Sequence, residues 1–437
     1  MKRLRSVLFG LGAVAMTVGG GLLYVLALRE HIDATNVLVR ISILVQLSFL
    51  VILLVRYLAL LWFSFLGHLE MLHQDPKRFE PFISVIAPAY NEEPVIDQAI
   101  ASLIALDYPR YELIIVDDGS SDGTYARAQQ WSKRGGRVPV RVFTKTNGGK
   151  ASALNLGIRK ASGEFVMCID TDSALDRQTL RFAARHMADA TVGAVAGNVK
   201  VVNRRNWVTW LQALEYLEGL NMMRRAQAFF HLVNIVPGPL GLFRRRAVLD
   251  VGGYPTDTFA EDADLTLLLL ERGWKIRYEP QAVSWTEAPE RVGALLKQRY
   301  RWTRGILQAL RKRSHRVLGR GTDLQMRFTL CYMMFEAILW PAANVMANLF
   351  LLSLAASVGL SRVLVLWWLQ LTLLDVVAAL FCVGLEDEDL RLVLVAPLYR
   401  FFHVCLIDVC KLLATLEEVI GAEMSWGKLE RLGRLRT

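Results

Sequence analysis

Five apolar runs bracket one polar stretch, and each run is long enough to cross a lipid bilayer. Val7–Leu28 and Val37–Leu66 precede the polar stretch; Phe328–Leu360, Val363–Leu385 and Leu392–Ile420 follow it. A hydrocarbon core of about 30 Å takes about 20 helical residues. With 53% of 437 residues hydrophobic, the chain is too apolar for an ordinary soluble protein of its size. An integral membrane protein is therefore expected. Two helices fall in residues 1–66, about three more in residues 321–421, and a basic tail at 422–437. The insert between them, roughly 250 residues, suits one α/β domain.

The basic start (Lys2, Arg3, Arg5) resembles a signal peptide, but its apolar run is too long and a second span follows closely, so an uncleaved first span is expected. Positive charge marks the cytoplasmic side. The N-terminus and, two spans later, the polar domain are thus expected in the cytoplasm. Three further spans would put the tail outside, whereas Lys428, Arg431, Arg434 and Arg436 favour the inside. The last segment carries His403, Asp408, Lys411, Glu417 and Glu418, which are costly in lipid. It is expected to be partly interfacial or packed on other helices. The five cysteines show no CxxC or Cys/His ligand spacing, so neither zinc nor disulfides are expected. Net charge is +10, but the basic residues gather beside apolar segments (Arg204-Arg205, Arg224-Arg225, Arg311 to Arg320). Such clusters face lipid headgroups, and nucleic acid is not an expected partner.

Within the polar stretch, short apolar runs end in acidic residues. LIIV precedes Asp117-Asp118, and EFVMCI precedes Asp170-Thr171-Asp172. Runs of this kind read as buried parallel strands, and ligands of open α/β sheets sit at the carboxyl ends of strands. The clusters are expected to share one crevice. Asp117 and Asp118 can accept from a base N–H or a ribose hydroxyl, though an Asx turn needs the same residues. Asp170 and Asp172 can share a hard cation, Mg²⁺ or Mn²⁺, that leaves room for phosphate oxygens. Lys145–Lys150 (KTNGGK) opens a helix as a phosphate-binding turn does, without the full P-loop pattern. Strand SVIAP runs into Tyr90, Glu92 and Glu93, a weak signal alone. Glu261-Asp262 opens a helix, either as ordinary N-terminal acidity or with Asp262 as a general base.

Gln298-Arg299-Tyr300-Arg301-Trp302 lies in residues 289–320, where apolar positions at helical spacing form one stripe. Gln298, Arg301 and Trp302 fall beside that stripe. An amphipathic helix against the bilayer is expected here, and a similar one near 206–230.

The motifs VDDGSSDGT, DTD, GPLGLFRR, AEDAD and QRYRW, in that order from Ser84 to Gly305, together resemble the processive membrane family-two glycosyltransferases. These include cellulose, chitin, hyaluronan and bacterial poly-N-acetylglucosamine synthases. The resemblance implies a GT-A nucleotide-diphospho-sugar transferase domain at 67–288, inserted between transmembrane helices. It implies an inverting enzyme of the bacterial inner membrane that polymerises and exports a sugar from a UDP-sugar, best matched by UDP-N-acetylglucosamine. By it, Tyr90, Glu92, Asp117, Asp118, Lys150, Asp170, Gln298 and Arg301 would bind donor, and Asp170 and Asp172 metal. Asp262 would be the base and Trp302 the platform for the growing polysaccharide acceptor. An accessory membrane subunit belongs to the same implication. Ala260 stands where the family usually has Thr, which leaves the base in place. Two other readings stand beside it: a transferase that loads one sugar on a lipid carrier, which generally lacks QRYRW, and a scaffold without chemistry, which would not keep all these acids.

Overall fold

The computed structural model describes residues 15, 18–22, 24–26, 36–73, 79–319, 321–358 and 362–422. The expected first span and the basic tail lie mostly outside them.

The strands of the polar domain are β1 (Ile83–Ala89), β2 (Tyr111–Asp117), β3 (Val140–Thr144), β4 (Phe165–Cys168), β5 (Ser173–Leu175), β6 (Val192–Val201), β7 (Gly241–Arg244) and β8 (Lys275–Thr286). They form one sheet in the order β3-β2-β1-β4-β7-β6-β8-β5. β1 to β4 run parallel, as the apolar runs imply. β7 is antiparallel to both neighbours, so the sheet is mixed. β1 is buried along its length because both faces are covered. Ile83, Val85 and Ala87 face one core with Ile96 and Ile100. Ile86, with Ile114 and Val116 of β2, faces the other, against Ala153, Leu154 and Ile158. This is the two-residue period of a strand resolved onto two helical layers.

Among the described residues, four helices are apolar and long enough to cross a membrane: Val37–Leu72, Leu324–Ser357, Leu364–Glu386 and Leu390–Val419. They share a core around Leu50, Leu53, Trp340 and Trp367, while Leu44, Val51, Val55, Leu349 and Leu352 stay exposed. A band of exposed apolar side chains on such helices is the surface that lipid would cover.

The last of the four is not a plain span. Its polar residues, costly in lipid, all meet protein. Asp408 accepts from Asn344 at 2.7 Å, His403 lies 2.8 Å from Glu215, Glu418 pairs with Arg304 at 2.8 Å and Glu417 accepts from Tyr300. The turn before it, with Asp387 at φ 51°, docks on the polar domain. There Glu388 pairs with Arg204 at 2.7 Å and Lys200 at 3.1 Å, and Glu386 with Arg225.

Candidate active site

Strand register brings the first acidic pair to its place. Ala89 of β1 lies beside Asp117 of β2, and the Asp118 amide donates to the Ala89 carbonyl at 2.8 Å. Tyr90, 39% exposed, therefore stands at the mouth of the crevice, with Glu92 buried beneath it. The loops lock together: Asn91 N donates to Ser120 Oγ at 2.9 Å and Glu92 N to Thr124 Oγ1 at 2.8 Å. Asp118 takes Lys145 Nζ at 2.7 Å, Gly148 N at 3.1 Å and Gly149 N at 2.7 Å. Its carboxylate thereby shapes the glycine turn that starts the Lys150–Lys160 helix. Asp117 accepts from Thr144 Oγ1 at 2.8 Å through Oδ2, but its buried Oδ1 has no partner. A buried acceptor without a donor is costly, so this oxygen is available to a ligand.

The second cluster forms around Lys150. Its Nζ lies 2.6 Å from Asp170 Oδ1 and 3.0 Å from Glu261 Oε1. Burial opposes its charge, yet Asp170, Glu261 and Asp262 together hold its pKa above the ordinary lysine value. Asp262 Oδ2 accepts from Gly238 N at 3.1 Å and Oδ1 from Ala263 N at 2.8 Å. Burial, then the neighbouring Glu261 carboxylate, raise the pKa of Asp262, which makes it a better proton acceptor than a solvated aspartate. At Gly238 a Cβ would fall 2.7 Å from Lys150 Nζ, 3.6 Å from Asp170 Oδ2 and 3.7 Å from Asp262 Oδ2. The glycine keeps open the space onto which three charged groups converge.

The QRYRW segment is the helix Val292–Lys312. Part of its apolar stripe packs on other elements of the chain. Leu295 packs on Val208 and Ile407, and Ile306 and Leu310 on Met326 and Leu330. Gly305 lets the helix close on the loop-to-helix junction at Ala260, since a Cβ there would be 2.4 Å from Ala260 N. Asp264, buried in AEDAD, fastens the same junction to Arg313 at 2.6 Å and Lys312 at 2.7 Å. Trp302 is half-buried, its ring 6.5 Å from Tyr216. Burial, and after it the Glu215 and Asp172 carboxylates, push the Tyr216 phenol up despite the opposing Arg299. Gln298 Oε1 accepts from Arg299, and Arg301 is half-buried on the same helix.

Among the predicted residues, Tyr90, Glu92, Asp117 and Asp118 gather at the ends of β1 and β2, Lys150, Asp170 and Asp262 around Gly238, and Trp302 beside Tyr216. Among the described residues, no three His, Cys, Asp or Glu side chains are grouped to hold a metal alone. The DTD triplet offers two hard oxygen ligands beside an open space, which suits a cation completed by a ligand's own oxygens.

Residues 84–252 match the family profile Glycosyl transferase family 2. This stretch is similar to family 2 glycosyl transferases. Poly-beta-1,6-N-acetyl-D-glucosamine synthase of Staphylococcus aureus (strain COL) is 36% identical to the chain over 265 residues, 59% of this chain and 62% of that protein. The enzyme of the same name from Staphylococcus epidermidis is 34% identical over 260 residues, 59% of this chain and 61% of that protein. The chain thus spans less than two thirds of the length of these curated relatives. Among solved structures, mannosyltransferase PcManGT from Pyrobaculum calidifontis, in complex with GDP-Man and Mn²⁺, matches with TM-score 0.63 at 23% identity, covering 89% of this chain and 100% of that one. At that identity the match speaks for the GT-A fold of the glycosyl transferase domain and its flanking helices.

Proposed function

We propose that this membrane protein polymerises a sugar from a UDP-sugar donor, UDP-N-acetylglucosamine in the first instance, and passes the polymer across the bacterial inner membrane. The convergence of Lys150, Asp170 and Asp262 on the space kept by Gly238 carries this reading. The similarity to poly-N-acetylglucosamine synthases supports the choice of sugar.

Asp117, with one unpartnered buried oxygen, and Asp118 receive the nucleoside, with Tyr90 and Glu92 at its edge. Asp170 and Asp172 would hold Mg²⁺ or Mn²⁺, whose charge offsets that of the departing diphosphate. Lys150, Gln298 and Arg301 add positive or polar contacts to that diphosphate. An acceptor sugar resting on Trp302 directs one hydroxyl at the anomeric carbon. Asp262 takes the proton of that hydroxyl as its oxygen bonds to the anomeric carbon. The bond from this carbon to the diphosphate oxygen breaks, and UDP leaves with the electron pair. Displacement from the opposite face inverts the anomeric centre, so one base suffices.

The test uses the purified chain in nanodiscs with Mg²⁺ or Mn²⁺, offered UDP-N-acetylglucosamine, UDP-glucose and UDP-glucuronate in turn. A long polymer from UDP-N-acetylglucosamine with matching UDP release is expected. UDP release with only a single-sugar lipid product would instead establish the lipid-carrier reading.

We further propose a sidedness, supported by the docked ends of the last apolar segment. Glu388 at its start and Glu418 at its end both pair with residues of the catalytic region, Arg204 and Arg304. On this reading both ends of the segment lie on the catalytic side, which agrees with the cytoplasmic preference of the basic residues beyond it. A cysteine placed at residue 437 should react with an impermeant maleimide only after the inner membrane is opened. Labelling in intact spheroplasts would show a crossing segment.

A further inference from the structure

Within QRYRW, the first arginine is turned away from the crevice. Arg299 is 3% exposed. Its Nε and Nη2 donate to Glu215 Oε1 and Oε2 at 3.0 and 2.6 Å, and its Nη1 to Gln298. Its guanidinium carbon lies 4.2 Å from the Trp302 ring centroid. Glu215, on the interface helix Trp207–Glu215, is shared: His403 Nε2 lies 2.8 Å from its Oε2. His403 stacks on Tyr399 with centroids 5.6 Å apart and planes at 20°. Although burial opposes it, Arg299 and His403 hold the Glu215 carboxyl well below the usual range.

We propose that Arg299 is a positioning residue that clamps Trp302 and Gln298 to the interface helix and, through Glu215 and His403, to the last apolar segment. The inference rests on Trp302 being the acceptor platform. The geometry needs arginine. A planar guanidinium can bind a carboxylate edge-on with two donors while its face lies on an indole, whereas an ammonium offers only a point charge. Asp117 and Asp118, which receive the nucleoside, belong to other elements, whereas Gln298 is held by the clamp itself. Loosening the clamp should therefore disturb the acceptor platform most and donor binding only through Gln298. Because the clamp includes His403 on the apolar segment, it also couples the platform to the part of the chain beside the membrane.

Glu215→Gln, Arg299→Lys and His403→Gln, each in the full chain in nanodiscs, are assayed with UDP-N-acetylglucosamine for UDP release, polymer per UDP and product length. Glu215→Gln and Arg299→Lys should shorten the product and lower polymer per UDP released by about fivefold or more, because misplacing a bound group by about 1 Å can cost far more than that in rate. The apparent KM for donor, to which Gln298 adds one polar contact, should rise by a smaller factor than polymer per UDP falls. His403→Gln, which keeps a donor towards Glu215, should shift both readouts the same way and less far. It decides the matter if Arg299→Lys fails to assemble. Polymer and UDP release falling in equal proportion, with product length unchanged, would overturn the clamp, since that is what loss of folded enzyme produces. No change in any readout would overturn it as well. Wild type that makes polymer while the variants keep its ratio removes the clamp alone; wild type that makes no polymer removes the platform reading and the clamp with it.

Discussion

Asp262→Asn is expected to lower polymer formation by about 10²- to 10⁴-fold, the usual contribution of a positioned general base, while UDP binding changes by less than about threefold. Asparagine matches aspartate in shape but cannot take a proton. It also has one acceptor oxygen where Asp262 uses two, one for Gly238 N and one for Ala263 N. The lost backbone contact costs about 1 kcal/mol, equivalent to a factor of about five in the folding equilibrium. A base effect of two to four decades exceeds that and falls on rate alone. Initial rates of polymer formation and titration calorimetry with UDP separate the two. Activity and UDP binding lost together would make Asp262 a structural support of the Gly238 turn.

The acidic ends of β1, β2 and β4 were legible because a buried strand is a continuous apolar run, and its ending is visible in the sequence. Asp117, Asp118 and Asp170 needed only that and the rule that ligands gather at strand ends. β5 and β7 were not legible. At three and four residues they carry no periodicity of their own, and their antiparallel pairing comes from β8, β4 and β6. Gly238 was visible only as part of GPLG, since its importance lies in the Lys150 ammonium that a Cβ would strike. Helical spacing put Arg301 and Trp302 at the edge of the stripe, and so it did nothing to single out Arg299. The carboxylate that turns Arg299 inward is 84 residues away in sequence. The last apolar segment shows the converse. Its charges announced a conflict with lipid, and Asn344, Glu215, Tyr300 and Arg304, which resolve it, are spread across three other elements.

Arg400→Leu should destabilise the membrane-embedded part by about 3–5 kcal/mol, the cost of leaving one member of a buried ion pair alone. Asp375 is fully buried and its carboxylate is satisfied by Arg400 Nε at 3.0 Å, by Arg400 Nη2 and by Tyr57 Oη at 3.2 Å. Arg400 Nη2 also donates to Tyr57 Oη at 2.6 Å. The three residues come from the Val37–His73 helix, the Arg362–Glu386 helix and the last segment, so the pair joins parts of the chain that are otherwise held by apolar contact. With Arg400 gone, Tyr57 offers Asp375 one neutral hydrogen bond, about 1 kcal/mol against the several that desolvation of a carboxylate demands. Thermal unfolding in one detergent, with tryptophan emission as the signal, measures the loss. Adding Asp375→Leu to Arg400→Leu should recover much of it, because two leucines remove both charges of the pair, leaving the buried Glu218 beside them, and the coupling of neighbouring sites appears as non-additivity. A double variant no more stable than Arg400→Leu alone would place the stabilisation in the Tyr57 hydrogen bonds and in side-chain packing.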